Sequence, residues 1–204
     1  MIRFAAVGLL ALSTLAACER RDDTVAEPPA AGVNPPVAAA PPAADPNVLT
    51  SEGLGPVRIG MSRADVMAAW GADAAPNAVG GPDPESCEDF HPAKAPTGVS
   101  VMIQNGRLTR ITLMRDAAVK TDRGFGLGDS ALAIKQAYGG AIIAQPHKYQ
   151  SPPAEDLFAW TSGGSTQYVT DPAARGVRYE VGSDGKVMMI HAGDPSIQLV
   201  EGCS

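Results

Sequence analysis

Two stretches of the chain, VRIGMSRADVMAAWG (57–71) and FGLGDSALAIKQAYG (125–139), align over their whole length without a gap. The alignment pairs identical glycines, serines and alanines, and it pairs Trp70 with Tyr138 directly before the last glycine. Chance could match the small residues, but it hardly explains the shared aromatic position as well. The sequence therefore predicts one fold fragment present twice, in tandem.

Each copy is predicted to be a short helix with its own start and stop residues. These structural residues are Gly60, Ser62 and Gly71 in the first copy and Gly128, Ser130 and Gly139 in the second. Serine is favoured as an N-cap because its hydroxyl accepts a hydrogen bond from a free backbone N–H. Glycine supplies the left-handed conformation needed at the turn before a helix and at its end.

A hairpin is predicted after each helix. The segment 98–114 has two β-rich runs around Asn105-Gly106, and the segment 176–193 repeats this plan around Asp184-Gly185. Asn-Gly and Asp-Gly are strong hairpin signals because both residues tolerate the left-handed conformation. The predicted fold class is α+β, with two tandem helix–loop–hairpin units forming an antiparallel sheet covered on one face by the short helices.

The first copy resembles a known family. GMSRADVMAAWG (60–71) is similar to the motif of the BamE/SmpA/OmlA outer-membrane lipoproteins, and the tandem arrangement resembles β-lactamase-inhibitory protein. The second copy departs from the motif at Asp129 and Ala131. Both relatives bind proteins and catalyse nothing, so the resemblance implies a non-catalytic protein-binding or assembly module. The Glu-Gly-Cys tail at 201–203 also resembles uncharacterised proteobacterial secreted proteins.

The first residues are predicted to direct export. Residues 1–17 show a cation, an apolar run and small residues, as a signal peptide does, and Leu15-Ala16-Ala17-Cys18 resembles the bacterial lipobox. The resemblance implies lipidation at Cys18, whereas the alternative is an ordinary signal peptide with a chance cysteine. Glu19 after the cysteine favours the outer membrane under the sorting rule known for such lipoproteins. The expected location is a lipid anchor in the outer membrane, facing the periplasm.

Composition divides the rest of the chain into a tether and a domain. Residues 18–50 are rich in alanine and proline and poor in large apolar side chains, which predicts a disordered tether. Residues 51–204 are predicted to form one globular domain, with repeats at about 54–116 and 122–204. The net charge is −6, and −7 once Arg3 leaves with the signal peptide. An acidic chain without a basic run predicts no nucleic-acid partner.

Cys87 and Cys203 remain after Cys18 is assigned to lipid. An even pair in an oxidising compartment predicts a disulfide, which would close a loop of more than a hundred residues. Such a loop stabilises a fold by about 4–5 kcal/mol in the chain-entropy model. The alternative is two free thiols or a metal site, although only His91 lies near either cysteine. No metal or cofactor is predicted.

Ser130 is also a candidate nucleophile, because Gly128-Asp129-Ser130 resembles the start of the GDSL hydrolases. That chemistry needs a histidine base oriented by an acid, usually in an Asp-x-x-His pair. None of the three histidines has an aspartate three residues before it. Capping explains Ser130 and the matching Ser62 together, so we predict no catalytic residue, and a hydrolase is the third-ranked function.

Four residues are candidates for binding: His147, Lys148, Tyr149 and Trp160. The cluster at 147–149 offers groups for an anion or a sugar, although a proline-bracketed turn explains it equally well. Trp160, near the Gly/Ser-rich loop, is a candidate carbohydrate platform. The leading prediction is an envelope module that binds another protein, and the alternative is a module that binds a cell-wall saccharide or another small ligand.

Overall fold

Eleven strands and two α-helices form the described residues of the computed structural model, which are 47–78, 81–165 and 168–203. The signal peptide, Cys18 and the predicted tether up to residue 46 lie outside them. The strands are β1 (Val48–Thr50), β2 (Gly53–Leu54), β3 (Val57–Arg58), β4 (Cys87–Phe90), β5 (Val99–Gln104), β6 (Arg107–Leu113), β7 (Lys120–Thr121), β8 (Ile143–Pro146), β9 (Glu155–Ser162), β10 (Arg175–Val181) and β11 (Val187–Gly193). The helices are α1 (Arg63–Trp70) and α2 (Ala131–Tyr138), with 3-10 turns at Gly139–Ala141 and Pro195–Gln198.

A seven-stranded antiparallel sheet in the order β4-β5-β6-β11-β10-β9-β8 is the main element. The β5–β6 hairpin turns at Asn105 and Gly106, whose φ angles of 49° and 74° are both left-handed, as a tight two-residue turn requires. The β10–β11 hairpin belongs to the second repeat. The two hairpins meet along β6 and β11, where Leu113 pairs with Ile190.

The two aligned segments make the same local structure. The N-termini of both helices dock on the turn of their own hairpin through equivalent backbone hydrogen bonds. These are Gly60 N–H to Leu108 O (2.7 Å) and Arg63 N–H to Gly106 O (3.1 Å) in the first copy, and Gly128 N–H to Val187 O (2.8 Å) and Ala131 N–H to Gly185 O (3.0 Å) in the second. The glycines before and after each helix have left-handed φ angles, from 55° at Gly139 to 90° at Gly60.

The hydrophobic core lies on one face of the large sheet. It collects the inward side chains of the hairpin strands together with Val66 and Trp70 of α1 and Ile134 of α2. A small four-stranded sheet in the order β3-β2-β1-β7 adds Leu49 and Leu54 to the same core. Among the described residues, no helix is long and apolar enough to cross a membrane.

The predicted α+β class, with a sheet covered by helices, is wrong, because the described residues are mostly β. Each helix has eight residues and is therefore about 12 Å long. Seven strands spaced by about 4.8 Å make a sheet roughly 29 Å wide. Two such helices are too small to cover that face, and the strands of the small sheet share the covering with them.

Candidate functional site

The face of the large sheet that points away from the core is charged, although it is buried. On β10, Val177 and Tyr179 point into the core, so Arg178 and Glu180 point to the other side. We call this side the polar face; its charged and titratable members are Asp89, Arg110, His147, Asp156, Arg178, Glu180 and His191. The segment 195–203, here named the covering segment, packs on this face across β6, β10 and β11 through its 3-10 turn.

Arg178 is the centre of the polar face and is fully buried. Its Nε donates to Asp156 Oδ1 (2.9 Å), its Nη2 to Glu180 Oε2 (3.2 Å) and its Nη1 to the carbonyl oxygen of Ile197 (3.2 Å). A buried charge is tolerated when it is paired and its donors are satisfied. The guanidinium therefore links two strands to the covering segment.

Two histidines complete the surroundings of Glu180. His147 Nδ1 accepts hydrogen bonds from the backbone N–H groups of Tyr149 (3.0 Å) and Gln150 (3.1 Å), so its proton is on Nε2, which donates to Glu180 Oε1 (3.2 Å). His191 Nε2 lies 3.3 Å from Glu180 Oε2, and its Nδ1 lies 3.0 Å from Thr112 Oγ1. With Nε2 protonated, His191 donates to Glu180 and accepts from the Thr112 hydroxyl.

The electrostatics hold Glu180 charged and His191 neutral. Burial lowers the pKa of His191 from 6.5 to about 4, and the nearby charges of Arg110 and Arg178 act in the same direction. Burial alone would raise the pKa of Glu180. Hydrogen bonds from His191 and His147, together with the charge of Arg178, outweigh it and lower that pKa to about 2.

Arg110, on β6, is the second buried arginine that holds the covering segment. Its Nη1 donates to the carbonyl oxygens of Leu199 (3.0 Å) and Ser196 (3.3 Å), while its Nη2 lies 3.6 Å from Asp89 Oδ1. Burial raises the pKa of Asp89 despite this arginine. The Nε–H of Arg110 is buried and has no hydrogen-bond partner among the described residues.

A cavity of about 290 Å³ opens between the polar face and the covering segment. Its lining includes Ser100, Thr112 and Met189 of the sheet, His91 beside it, and Val200 and Glu201 of the covering segment, together with Asp89, Arg110, Glu180 and His191. Because charged and hydrogen-bonding side chains of the polar face converge on it, the cavity is a ligand-site candidate.

Thr112, His191 and Glu180 follow one another in the order hydroxyl, imidazole, carboxylate. This is the order of donors in a catalytic triad. However, Thr112 is only 4 % exposed and His191 only 5 %. Glu180 also accepts from Arg178 and His147, which makes it a structural anion of the polar face. All three residues line the cavity, and His191 and Glu180 can polarise the Thr112 hydroxyl.

The predicted cluster at 147–149 is divided between different roles. His147 is buried in the polar face, whereas Lys148 forms an exposed ion pair with Glu201 (3.1 Å). Tyr149 is 61 % exposed, and the Lys148 ammonium lies 5.0 Å from its ring centre. Only His147 of this cluster therefore joins the polar face, and it does so through Glu180.

Trp160 is placed away from that cluster and is itself packed. Pro146 pairs with Glu155 on β9, and Trp160 lies five residues further along that strand. Its ring stacks on Phe158 with centroids 6.3 Å apart, and an added Cβ at Gly164 would lie 1.9 Å from it. The structure does not bring Trp160 together with residues 147–149 as one site.

The two candidate capping serines sit at the helix N-termini. Ser62 Oγ accepts from the N–H of Asp65 (3.1 Å), and Ser130 Oγ accepts from the N–H of Leu132 (3.2 Å). Each helix ends at its glycine, where Gly71 N–H donates to Met67 O and Gly139 N–H donates to Lys135 O. No hydrogen bond between Ser130 and a histidine occurs within the described ranges, so its hydroxyl is engaged as a cap.

The predicted disulfide is confirmed. Cys87, the first residue of β4, is bonded to Cys203, which is 116 residues later in the chain. The N–H of Cys203 also donates to Asp89 Oδ2 (3.2 Å). The bond therefore fixes the end of the covering segment to the edge of the sheet, beside the cavity.

An exposed apolar group surrounds the β10–β11 turn, and we call it the turn cluster: Leu132, Tyr149 and Met188. Leu132 is 64 % exposed and follows Ala131, whose N–H donates to the turn residue Gly185. Gln150, next to Tyr149, donates to the sulfur of Met188 (3.6 Å). All three are apolar side chains exposed on elements next to this turn.

Sequence reasoning missed most of the polar face. Arg110, Arg178, Glu180 and His191 alternate with core residues along their strands, which is also the pattern of a strand with one solvent-exposed side. The sequence did contain one indication that this face is covered. Ile197 is apolar, and it lies in the segment that the disulfide fixes to the sheet. Ile197 is fully buried.

Comparison with known proteins identifies no family. No model of a known protein family matches the chain, and no curated protein matches it either. Among solved structures, it is similar to an extracellular protein containing an SCP domain from Bacillus anthracis str. Ames, with 9% identity and a TM-score of 0.40. The match covers 67% of this chain and 44% of that one, so it spans less than half of the solved protein.

Proposed function

We propose that this chain is a non-catalytic binding module that holds a small polar ligand in the cavity beneath the covering segment. The observation behind this proposal is Arg110. It lines the cavity together with Asp89, and its Nη2 lies 3.6 Å from Asp89 Oδ1. A ligand between the two side chains would meet guanidinium N–H donors and carboxylate acceptor oxygens.

The positions of Thr112 and His191 support binding rather than catalysis. Their mutual hydrogen bond and their burial serve to anchor Glu180 within the polar face. A nucleophile has to approach a substrate carbon at about 3–3.5 Å in the reactive geometry. Thr112 lines the cavity but is only 4 % exposed, so little of its side chain is available to a substrate carbon there.

A cavity-filling variant tests the binding site. A mixture of small sugars, amino acids and carboxylic acids is screened against the protein by ligand-observed NMR. We expect at least one compound to bind, and Ser100→Leu to abolish its binding because Ser100 lines the cavity. Ser100→Ala leaves the space open and is the matched control. Binding that persists in Ser100→Leu, or an absence of binding by every compound, would contradict the proposal.

The cellular location of this chain is also part of the proposal. We infer an exported lipoprotein, anchored in the outer membrane through Cys18 and facing the periplasm. The Leu-Ala-Ala-Cys sequence before the tether supports this, and the Cys87–Cys203 disulfide is typical of an oxidising compartment. Incorporation of an alkyne-tagged fatty acid, lost in Cys18→Ser, tests the anchor. Separation of inner and outer membranes on a density gradient tests the location.

A protein partner is the second candidate function, and the turn cluster favours it. Tyrosine and methionine are enriched in protein interfaces; Tyr149 and Met188 are both exposed here, and Gln150, next to Tyr149, contacts the Met188 sulfur. The resemblance to protein-binding lipoproteins is consistent with this function and stays a prediction. Crosslinking in intact cells, followed by mass spectrometry, should recover one reproducible partner. The double variant Tyr149→Ser/Met188→Ser should lose it, whereas Tyr168→Ser, at another exposed tyrosine, should keep it.

A further inference from the structure

The charges around the cavity restrict what it can hold. The lining contains three carboxylates, from Asp89, Glu180 and Glu201, and one guanidinium, from Arg110. Arg178 is paired with Glu180 and Lys148 with Glu201, so neither cation is a surplus charge for a ligand. Glu180 and Glu201 are balanced by these partners and Asp89 lies 3.6 Å from Arg110, so the described lining leaves no unpaired cation for an anionic ligand, which would lie against carboxylates. Like charges placed together cost several kcal/mol at a desolvated site.

A cationic ligand is disfavoured for the opposite reason. It would lie against Arg110, which is buried and so poorly screened by water. Arg110 cannot lose its proton to relieve the repulsion, since guanidinium stays charged in proteins. The lining therefore matches a ligand without net charge.

The hydrogen-bonding groups of the lining match hydroxyl groups. The Arg110 guanidinium offers N–H donors, while the Asp89 side chain, 33% exposed and 3.6 Å from Arg110 Nη2, offers acceptor oxygens. His91 Nδ1 lies 3.1 Å from the carbonyl oxygen of Val99 and must donate to it, so Nε2 of the neutral ring is an acceptor. A hydroxyl both donates and accepts, so two neighbouring hydroxyls can serve Arg110 and Asp89 together.

The apolar part of the cavity lining and the volume of the cavity both fit a ligand of one sugar ring. Met114, Met189 and Val200 give the lining an apolar part, suited to the C–H face of a sugar. A volume of about 290 Å³ is at the small end of the usual range for ligand pockets, which begins at about 300 Å³. The cavity has room for one ring.

From these features we infer that the ligand is a neutral polyhydroxyl molecule of one sugar ring, held by hydroxyl groups between Arg110 and Asp89. The inference rests on the proposed binding function and adds the class of ligand to it. It concerns a different place from Trp160 and the 147–149 cluster, where sequence reasoning put a saccharide.

A set of matched sugars tests the class. Binding is measured by titration NMR with neutral hexoses (glucose, galactose, mannose and N-acetylglucosamine), with glucuronate as the anionic ring and with glucosamine in its ammonium form as the cationic ring. At least one neutral hexose should bind at least tenfold more tightly than both charged rings. Asp89→Asn should weaken it about tenfold, since it removes a charged acceptor but keeps an oxygen for the Cys203 N–H.

The control is Asp116→Asn, which makes the same charge change at an exposed position outside the cavity lining. It should bind the hexose as the native chain does, and thermal unfolding checks that both variants are folded. Tighter binding of glucuronate or glucosamine, or hexose binding that Asp89→Asn leaves unchanged, would overturn the ligand class and leave the cavity function standing. If the wider mixture of compounds also fails to bind, the proposed function falls with it.

Discussion

Arg178 shows how one side chain can join distant parts of a chain. Its three acceptors come from β9, from β10 and from the backbone of the covering segment. Removing one partner of a buried ion pair costs about 3–5 kcal/mol, because the other charges are left without compensation. The exposed pair of Lys148 and Glu201 is of the kind that contributes only about 0–1 kcal/mol.

These two cations give a matched prediction. Arg178→Met should lower the free energy of unfolding by about 3–5 kcal/mol, because Asp156 and Glu180 stay buried without their cation. Lys148→Met, the control, should change it by less than about 1 kcal/mol. Urea unfolding followed by circular dichroism measures both. Equal losses in the two variants would show that the buried cluster contributes little to stability.

The lowered pKa of His191 predicts how the free energy of unfolding changes at acidic pH. Its pKa of about 4 in the folded protein is below the 6.5 of the unfolded chain, so the unfolded chain binds more protons between these values. The stability that His191 contributes is therefore complete above pH 6.5 and is lost as the pH falls towards 4. The slope should reach about 1.4 kcal/mol per pH unit.

Urea unfolding at pH 7.5, 6.5, 5.5 and 4.5 measures this slope. Glu180 adds to it below about pH 4.5, since its pKa of about 2 in the folded protein is also lowered. His191→Asn should flatten the curve between pH 6.5 and 4.5, while His91→Asn should leave the His191 contribution in place. An unchanged slope in His191→Asn would contradict the assignment.

At the scale of secondary-structure elements, α1 and α2 are built alike. Each begins at an N-cap serine, ends at a glycine, and is joined by backbone hydrogen bonds to the turn of its own hairpin. An N-cap serine is worth about 1 kcal/mol, and aspartate caps as well as serine does. Ser130→Ala should therefore lower the free energy of unfolding by about 1 kcal/mol, and Ser130→Asp should restore it. Thermal unfolding of the two variants measures the effect. A loss of stability in both would show that Ser130 is needed for something other than its cap.

The elements that the sequence predicts are those with strong local signals. Ser62 and Gly71 mark the ends of α1, and Asn105-Gly106 determines the first hairpin turn, so both could be placed in advance. The small sheet could not, because β2 and β3 have only two residues each and so no alternating pattern to detect. That omission is the reason for the wrong fold class, since these strands share the covering of the core.

The candidate site was harder to predict than the fold. His147 was selected from a local cluster, and its partner Glu180 is 33 residues away in the chain. Arg110 and Arg178 alternate with apolar neighbours, which predicts solvent exposure for them. Their burial depends on the covering segment, whose contacts are all long-range. A local pattern contains no information about such contacts.

At the scale of the whole molecule, the disulfide connects the first repeat to the covering segment. Cross-linking residues 116 positions apart is worth about 4–5 kcal/mol in the chain-entropy model. The double variant Cys87→Ser/Cys203→Ser should therefore lose about that much stability in urea unfolding. Its backbone amides at Ile197 and Leu199 should also exchange faster with solvent.

Reduction provides the control for this prediction. Dithiothreitol should destabilise the native chain to the level of the double variant and should leave the double variant unchanged. A loss of less than about 1 kcal/mol, with exchange at Ile197 and Leu199 unaltered, would show that the two arginines alone hold the covering segment.

The covering segment also affects the order in which the domain can be completed. Synthesis runs from the amino end, and residues 195–203 follow every strand of the sheet. Until they arrive, Arg110 and Arg178 lack the carbonyl oxygens that satisfy them. A chain synthesised only as far as Asp194 would have both hairpins but an incomplete outer surface, which residues 195–203 and their disulfide complete.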